Sequence, residues 1–461
     1  MASPTTLNAK NLETLGPKRL AGLLIELSKN SPPVKRRLKM ALAREQADGS
    51  LKMQIRKRLG ELRGSQSFIE RHLAKDFIAE IKSLHRSITA DLANESPSDA
   101  VEMLWRFIDI AGPCYERYDD SAGKLGQVFR DALHDMGDIA HSARLDPKAL
   151  SLRIISASRK NGYGEYDGLI PVMVPALGSQ GLIHLRGLIE ANPSGTQSYW
   201  RQTSLKQIAD ALGDVEAYRD QFSPGLQTQP RVAAEIAVRL LSAKRSNEAL
   251  ELLDNVEEVP SLDKAGVSGR YIDLSWHQVR TSVLQALGRT AEAQALRWST
   301  FEATLNTGML EDYISQLEGF DDVVARDKAA DHAASFFDVH LALQFLINQR
   351  NPETAAKMIE TRFSEIDGRH YELIGAAINT MEARHFLPAA LLHRMQINFA
   401  LQNGRSKRYR HAARHLLACS SLDHSITDYG IFTDHHAYEQ SLREAHGRKT
   451  SFWERFTSGA L

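Results

Sequence analysis

The sequence predicts an all-α protein, an irregular α-solenoid of helix pairs (tetratricopeptide- or HEAT-like) behind a helical N-terminal region. Three observations point there. Apolar residues recur at helical spacing, as at Leu20, Leu23, Leu24 and Leu27, which line one face of a helix. Helix-start chemistry precedes several such runs. From about residue 229 onward a unit of helix, short polar turn and alanine-led helix returns.

Taken in order, residues 1–90 form a basic helical region. Phe77, Ile78, Ile81, Leu84 and Ile88 repeat the apolar stripe. Across residues 17–63 there are 13 Lys/Arg against 4 Asp/Glu, grouped at Lys35, Arg36 and Arg37, at Lys39, at Arg56, Lys57 and Arg58, and at Arg63. Residues 91–228 form a helical middle region whose first part reverses the sign, with 12 acids against 5 bases over residues 91–147. Opposed blocks predict solvated faces that pair within the molecule; the other reading is a basic arm that touches nucleic acid. Val101, Leu104, Trp105 and Ile108 carry the next stripe, opened by Ser96, Pro97 and Asp99: an N-cap, a proline at the first helical position and a carboxylate in the first turn. Asp146-Pro147 and Asn351-Pro352-Glu353 read the same way.

The best strand candidate, residues 168–175, carries Pro171 and Pro175, which favours a loop or short helix. Residues 161–168 pack three glycines with Tyr163 and Tyr166. They lack the glycine spacing and preceding strand of a phosphate-binding loop, so a tight inter-helix turn is expected.

Residues 229–461 form the tetratricopeptide-like region. Residues 237–253, 283–296 (with Gly288 at the turn), 343–359 and 391–417 each hold two helices around a polar turn. Small alanines after the turns, Ala249, Ala295, Ala355 and Ala412, let helices approach closely; their spacing of 46 to 60 residues is too irregular for a clean 34-residue array.

Composition narrows the class. In 461 residues, 43% hydrophobic, Lys plus Arg equals Asp plus Glu at 57 each, so nucleic-acid binding would have to rest on local patches. Cys114 and Cys419 are the only cysteines, which excludes a disulfide framework or a four-cysteine zinc site and suits a reducing compartment. The start, Met1-Ala-Ser-Pro-Thr-Thr6, has no apolar signal core. No run approaches the ~18 apolar residues of a membrane span. A soluble, cytoplasmic protein without membrane contact is expected.

Catalytic and metal patterns are incomplete. His411 and His415 stand at metal-pair spacing, with His424, His435, His436, His446, Asp423, Asp428 and Asp434 downstream. The glutamate of a metalloprotease helix is missing between them. Asp119 and Asp120 suggest a helix-initiating turn, with Mg²⁺ as the alternative. Cys114 would need a histidine base to act as a nucleophile, and Cys419 reads as packing. No cofactor, metal site or enzymatic activity is predicted. The basic turn is the candidate that stands out: Arg405, Lys407, Arg408, Arg410 and Arg414 surround Tyr409. Such a set suits phosphate or nucleic acid, with the tyrosine stacking on a base. The competing reading is a solvated helix edge, where a helix C-terminus before Gly404 favours cations through the macrodipole.

Several of these segments carry a resemblance. Residues 405–416 and 438–453, with residues 116–129 and 161–171, look like an uncharacterised, all-helical bacterial family found largely in alphaproteobacteria. The likeness touches most of the chain and implies fold and compartment, with no activity. The C-terminal part also resembles the tail of bacterial SWIM zinc-finger proteins. The finger's Cys-x-Cys pair is absent here, so zinc does not follow.

The expected function is therefore a non-enzymatic scaffold or adaptor that binds a protein or peptide partner. The alternative is a nucleic-acid-associated protein using Lys35, Arg36, Arg37, Arg56, Lys57 and Arg58 together with the turn at 405–414.

Overall fold

The computed structural model describes residues 6–29, 32–45, 49–191, 198–257 and 273–458. Every regular element among them is a helix. The first five residues, considered above for a targeting signal, lie outside the described residues. The chain divides into two units, Met1–Ser223 and Pro224–Leu461.

The main helices of the first unit are α1 (Gly16–Lys29), α2 (Pro32–Arg44), α3 (Ser50–Gly64), α4 (Ala74–Arg86), α5 (Pro97–Ile108), α6 (Lys124–Ser142), α7 (Pro147–Ser158), α8 (Leu169–Glu190) and α9 (Ser198–Leu212). Their start signals work as expected. Ser96 Oγ accepts the Asp99 N–H at 3.4 Å, and an Asp146 carboxylate oxygen accepts the Ala149 N–H at 2.9 Å. The apolar face of α3, Leu51, Ile55, Leu59 and Leu62, is buried, and α3 packs on α5. From there α5 packs on α6, α6 on α8, and α8 on both α7 and α9. One core results, with Ile55, Ile81, Phe107 and Phe129 sealed inside it. Each such side chain contributes about 1.5–3 kcal/mol relative to exposure.

Two expected elements carry features that the sequence pattern does not show. Helix α1 forms, yet none of its residues is buried, and Leu23, Leu24 and Leu27 face solvent. It lies along α2 and the short helix Ala9–Glu13, which leave that stripe uncovered. Residues 168–175 give the short helix that was one of the two expectations: they open α8, which is broken into two helical pieces at Gly178. Pro171 falls in its first turn, where a helix needs no N–H. Beyond Pro175 the helix bends at Gly178, with φ +54°.

The second unit contains α10 (Pro230–Ser242), α11 (Ser246–Asp254), α12 (Ser275–Ala286), α13 (Thr290–Thr304), α14 (Thr307–Ile314), α15 (Asp321–Ala334), α16 (Val339–Asn348), α17 (Pro352–Arg362), α18 (Tyr371–Met381), α19 (Phe386–Gln402), α20 (Tyr409–Asp423), α21 (His435–His446) and α22 (Thr450–Ser458). From α10 to α21 each helix packs on the next, and α10, α13, α15, α16, α17 and α20 also pack on the next but one. Burial against near neighbours in sequence is the mark of an α-solenoid. Unequal helices make it irregular: α14 has 8 residues and α19 has 17.

The four pairs expected from the sequence are α10/α11, α12/α13, α16/α17 and α19/α20, and all four turn alike. Lys244, Gly288, Arg350 and Gly404 take φ of 61°, 73°, 54° and 59°. The next residue returns its N–H to a carbonyl five positions back: Arg245 to Leu240 and Arg289 to Leu284 at 2.9 Å, Asn351 to Leu346 and Arg405 to Ala400 at 3.0 Å. This is a Schellman turn, which satisfies carbonyls that a helix end would otherwise leave open. Ala249, Ala293 and Ala355 follow at one shared position and are fully buried. The expected Ala295 is exposed; the close contact belongs to Ala293, two residues earlier.

If this turn is the repeat's shared constraint, its left-handed residue should control stability. Gly288→Ala, which meets no neighbouring atom, should cost about 1–2 kcal/mol through the backbone alone. Lys244→Gly should stabilise by up to about 1 kcal/mol. Urea unfolding of the full chain measures both.

Candidate anion-binding site

In the first unit α2, α3 and α4 enclose a cleft of about 510 Å³ lined by Lys35, Arg36, Arg37, Lys39, Lys57 and Arg58. The fold thus brings together two of the clusters separated in sequence. Arg56 is not among them; it lies against a second cleft, formed with α5 and α7. Glu80 of α4 engages part of the charge. It accepts from Arg36 Nε and Nη2 at 2.9 and 3.2 Å and from Arg58 Nε at 2.8 Å. Arg58 also donates to Glu61 at 2.8 Å. Lys35, Arg37 and Lys57 remain exposed. The basic and acidic regions meet as well: Lys52 Nζ is 2.7 Å from Asp99 and 2.9 Å from Glu102.

The second cluster is arranged differently. Only Arg405 sits directly after the end of α19. Lys407 and Arg408 form a 3₁₀ turn, Ser406–Arg408, that leads into α20, and Arg410 and Arg414 lie on α20 itself. The macrodipole explanation therefore fails, because Lys407, Arg408 and Arg410 sit at a helix N-terminus, where the dipole disfavours cations, and Arg414 lies inside the helix, past its first turn. The equivalent turns show what normally occupies this place. Arg245 pairs with Glu248 at 2.5 Å, and Arg289 pairs with Glu292 at 2.6 Å. At α20 those two positions are Arg405 and Arg408. Between Glu382 and Asp423 the chain has seven Lys/Arg and no acid. Among the described residues no carboxylate pairs with Arg405, Lys407, Arg408, Arg410 or Arg414. Two of the guanidiniums rest on rings instead, Arg405 at 4.8 Å from Phe399 and Arg408 at 4.5 Å from Tyr371. Tyr409, expected to stack on a base, is 6% exposed and packs edge-on against Phe452. Aligning the four turns in the sequence would have exposed the missing acid at Arg408.

The remaining candidates have structural partners. His415 turns inward, its Nδ1 2.7 Å from Nδ1 of His393, whose Nε2 lies 3.0 Å from Glu382; His411 is exposed. Asp423 accepts from the Tyr429 hydroxyl at 2.8 Å, Asp428 from the Gly430 N–H at 2.8 Å, and Asp434 caps α21. Asp120 accepts the N–H groups of Leu125 and Gly126 at 2.9 and 2.7 Å, and so starts α6. Burial pushes the Cys114 thiol up to about 11 and the Cys419 thiol up to about 12, away from thiolate chemistry at neutral pH. The glycine-rich segment is a closed turn, with Asn161 accepting the Tyr166 N–H at 2.8 Å. Tyr166 itself is buried and donates to Asp109 at 2.7 Å.

One residue was invisible in the sequence. Arg394 is 3% exposed, donates to the Thr433 carbonyl at 2.7 Å and lies 4.5 Å from the Tyr438 ring and 5.2 Å from the Tyr429 ring. It pins the segment before α21 to α19.

The histidine pair has a pH signature. Burial, then the charges of His393 and His411, lower His415 from 6.5 to about 4. The folded state therefore favours the neutral ring, and its stabilising effect is present above the unfolded value. Stability should fall as pH drops from 6.5 toward 4, by up to about 1.4 kcal/mol per pH unit for one such group. His415→Gln should flatten that slope in urea unfolding measured across this range.

Two segments, residues 2–199 and 190–455, match the model of a family of unknown function, DUF6880. Among solved structures, a circular tandem repeat protein with novel repeat topology and enhanced subunit contact surfaces is similar at 12% identity, covering 93% of this chain and 97% of that one. Its TM-score is 0.12, too low to inform the path of the chain. No curated protein matches the sequence. The match to the family model spans nearly the whole chain, which belongs to the family of unknown function DUF6880.

Proposed function

We propose that this protein is a non-enzymatic, cytoplasmic helical-repeat adaptor that docks an acidic segment of a protein partner at the start of α20. The observation that carries this reading is the placement of Lys407, Arg408 and Arg410 at a helix N-terminus with no carboxylate paired to them among the described residues. Each such cation costs roughly 0.3–1 kcal/mol there. Acids at Glu248 and Glu292 fill the matching position of two other turns. A partner carboxylate would supply in trans what those repeats hold in cis. Stacked repeats also leave an extended surface suited to a peptide or helix.

Nucleic acid is the second reading, favoured by Lys35, Arg37, Lys39 and Lys57 in one cleft. Against it at the C-terminal turn, guanidiniums lie over the rings of Phe399 and Tyr371, and Tyr409 is buried, which reduces the aromatic surface open to bases.

A labelled glutamate-rich peptide and a single-stranded oligodeoxythymidylate of matched charge, each titrated with the full chain, separate the two. The peptide should bind, and Lys407→Ala/Arg410→Ala/Arg414→Ala should weaken it at least about tenfold. Salt-sensitive oligonucleotide binding in place of peptide binding would transfer the site to nucleic acid, and no binding of either would remove it.

A further inference from the structure

The cleft on the other side of α3 combines an apolar floor with a basic lining. It lies between α3, α5 and the start of α7, measures about 810 Å³, and falls within the range of small-molecule sites, roughly 300–1,000 Å³. Leu59, Val101, Trp105, Ile110 and Leu150 give it an apolar floor, each of them buried. Arg56, Arg63, Arg106, Arg153 and Lys160 line it with positive charge.

The three acids at the cleft are already engaged. Glu102 is 2.9 Å from Lys52 and 3.3 Å from Arg106. Asp109 accepts from the Tyr166 hydroxyl at 2.7 Å and lies 3.8 Å from Arg153. Asp146 caps α7, accepting from Lys148 N and Ala149 N at 3.4 and 2.9 Å. Among the described residues no carboxylate pairs with Arg56, Arg63 or Lys160. Arg63 stands in the last turn of α3, where the dipole favours a cation. Lys160 follows the C-cap of α7, Arg159, and has the same support; Arg56, in the middle of α3, does not.

A second observation points the same way. Gly60 lies in α3 between Arg56 and Arg63 and lines the cleft. A Cβ built there would meet nothing within 4 Å, and its φ is not positive. Neither packing nor backbone conformation calls for glycine, which weakens a helix interior. It leaves the backbone between the two arginines open to a ligand, as Gly22, Gly187 and Gly375 leave the backbone open in other helices.

We infer that this cleft binds a small amphipathic organic anion, its sulfonate, phosphate or carboxylate held by Arg56, Arg63 and Lys160 and its apolar body laid on Leu59, Val101 and Ile110 across Gly60. The site is independent of the docking surface at α20. The probe is 1-anilinonaphthalene-8-sulfonate, a fluorescent organic anion, titrated into the full chain, with the uncharged N-phenyl-1-naphthylamine beside it. The sulfonate should bind saturably, and the neutral compound at least about tenfold more weakly. Arg56→Ala/Arg63→Ala should weaken the sulfonate by at least about tenfold. Gly60→Leu keeps every cation and should do the same by filling the floor, with an unfolding midpoint no lower than that of the parent. Lys35→Ala/Arg37→Ala, in the neighbouring cleft, should leave binding unchanged. Absence of saturable binding, equal binding of the neutral compound, or full affinity in either Arg56→Ala/Arg63→Ala or Gly60→Leu would overturn the assignment.

Discussion

The second unit depends on one backbone conformation, a residue of positive φ that ends the first helix of a pair and lets its successor bond back across the turn. Lys244, Gly288, Arg350 and Gly404 all hold it. Because the constraint lies in the backbone, it tolerates side chains as different as glycine and arginine, at a strain of about 1–2 kcal/mol for the latter. Fixing the turn fixes the angle at which the next helix leaves. That in turn decides which small residue meets the neighbour, as Ala249, Ala293 and Ala355 do. With local geometry secured this way, the side chains at the start of the second helix are free to vary. They run Arg245 with Glu248, Arg289 with Glu292, Asn351 with Thr354 and Arg405 with Arg408. The first three satisfy the helix start locally, by an ion pair or a cap. The fourth does not.

In the first unit the charge of the sequence is partly spent on holding helices together. Glu80 gathers Arg36 from α2 and Arg58 from α3, and Lys52 ties α3 to the start of α5 through Asp99 and Glu102. Partly exposed pairs of this kind are individually weak, about 0–1 kcal/mol, so their effect is on orientation more than on stability. They also sort the cations of α3. Arg58 is held by Glu80 and Glu61, while Arg56 and Arg63 face another cleft without carboxylate partners among the described residues. A block of positive charge in sequence becomes one paired surface and two surplus ones.

Much of this was legible. Ser96, Asp146 and Asn351 cap the helices that their sequence context announces, because a cap needs only residues three apart. The four helix pairs were legible for the same reason: each turn is local. The failures share a different cause. Ala295 and Ala293 are both small and both follow Gly288, and only the neighbouring helix decides which is buried. The leucine stripe of α1 has the right period, yet period says nothing about whether a neighbour exists to cover it. By contrast, the short helix expected as one reading of residues 168–175 does form, since a first turn accepts one proline and a bend at Gly178 follows the other. At the C-terminal turn the charges were visible, but which end of which helix they occupy depended on a boundary, and the sign of the dipole reverses there.

The two proposed sites rest on a common logic. A natural chain that is otherwise locally consistent breaks a rule where some other requirement overrides it. At α20 the broken rule is electrostatic: cations gather at the positive end of a helix dipole, in a stretch of chain that supplies no acid. In α3 it is conformational: a glycine interrupts a helix where nothing nearby needs the space. Neither departure is repaired within the described residues. The buried Arg394 differs in kind, since two tyrosine rings and the Thr433 carbonyl enclose it, while its Nε and Nη2 find no hydrogen-bond partner among the described residues. What distinguishes Arg56, Lys160, Lys407 and Arg410 is surplus charge on an accessible surface, and an anion from outside the chain is the simplest thing that would balance it.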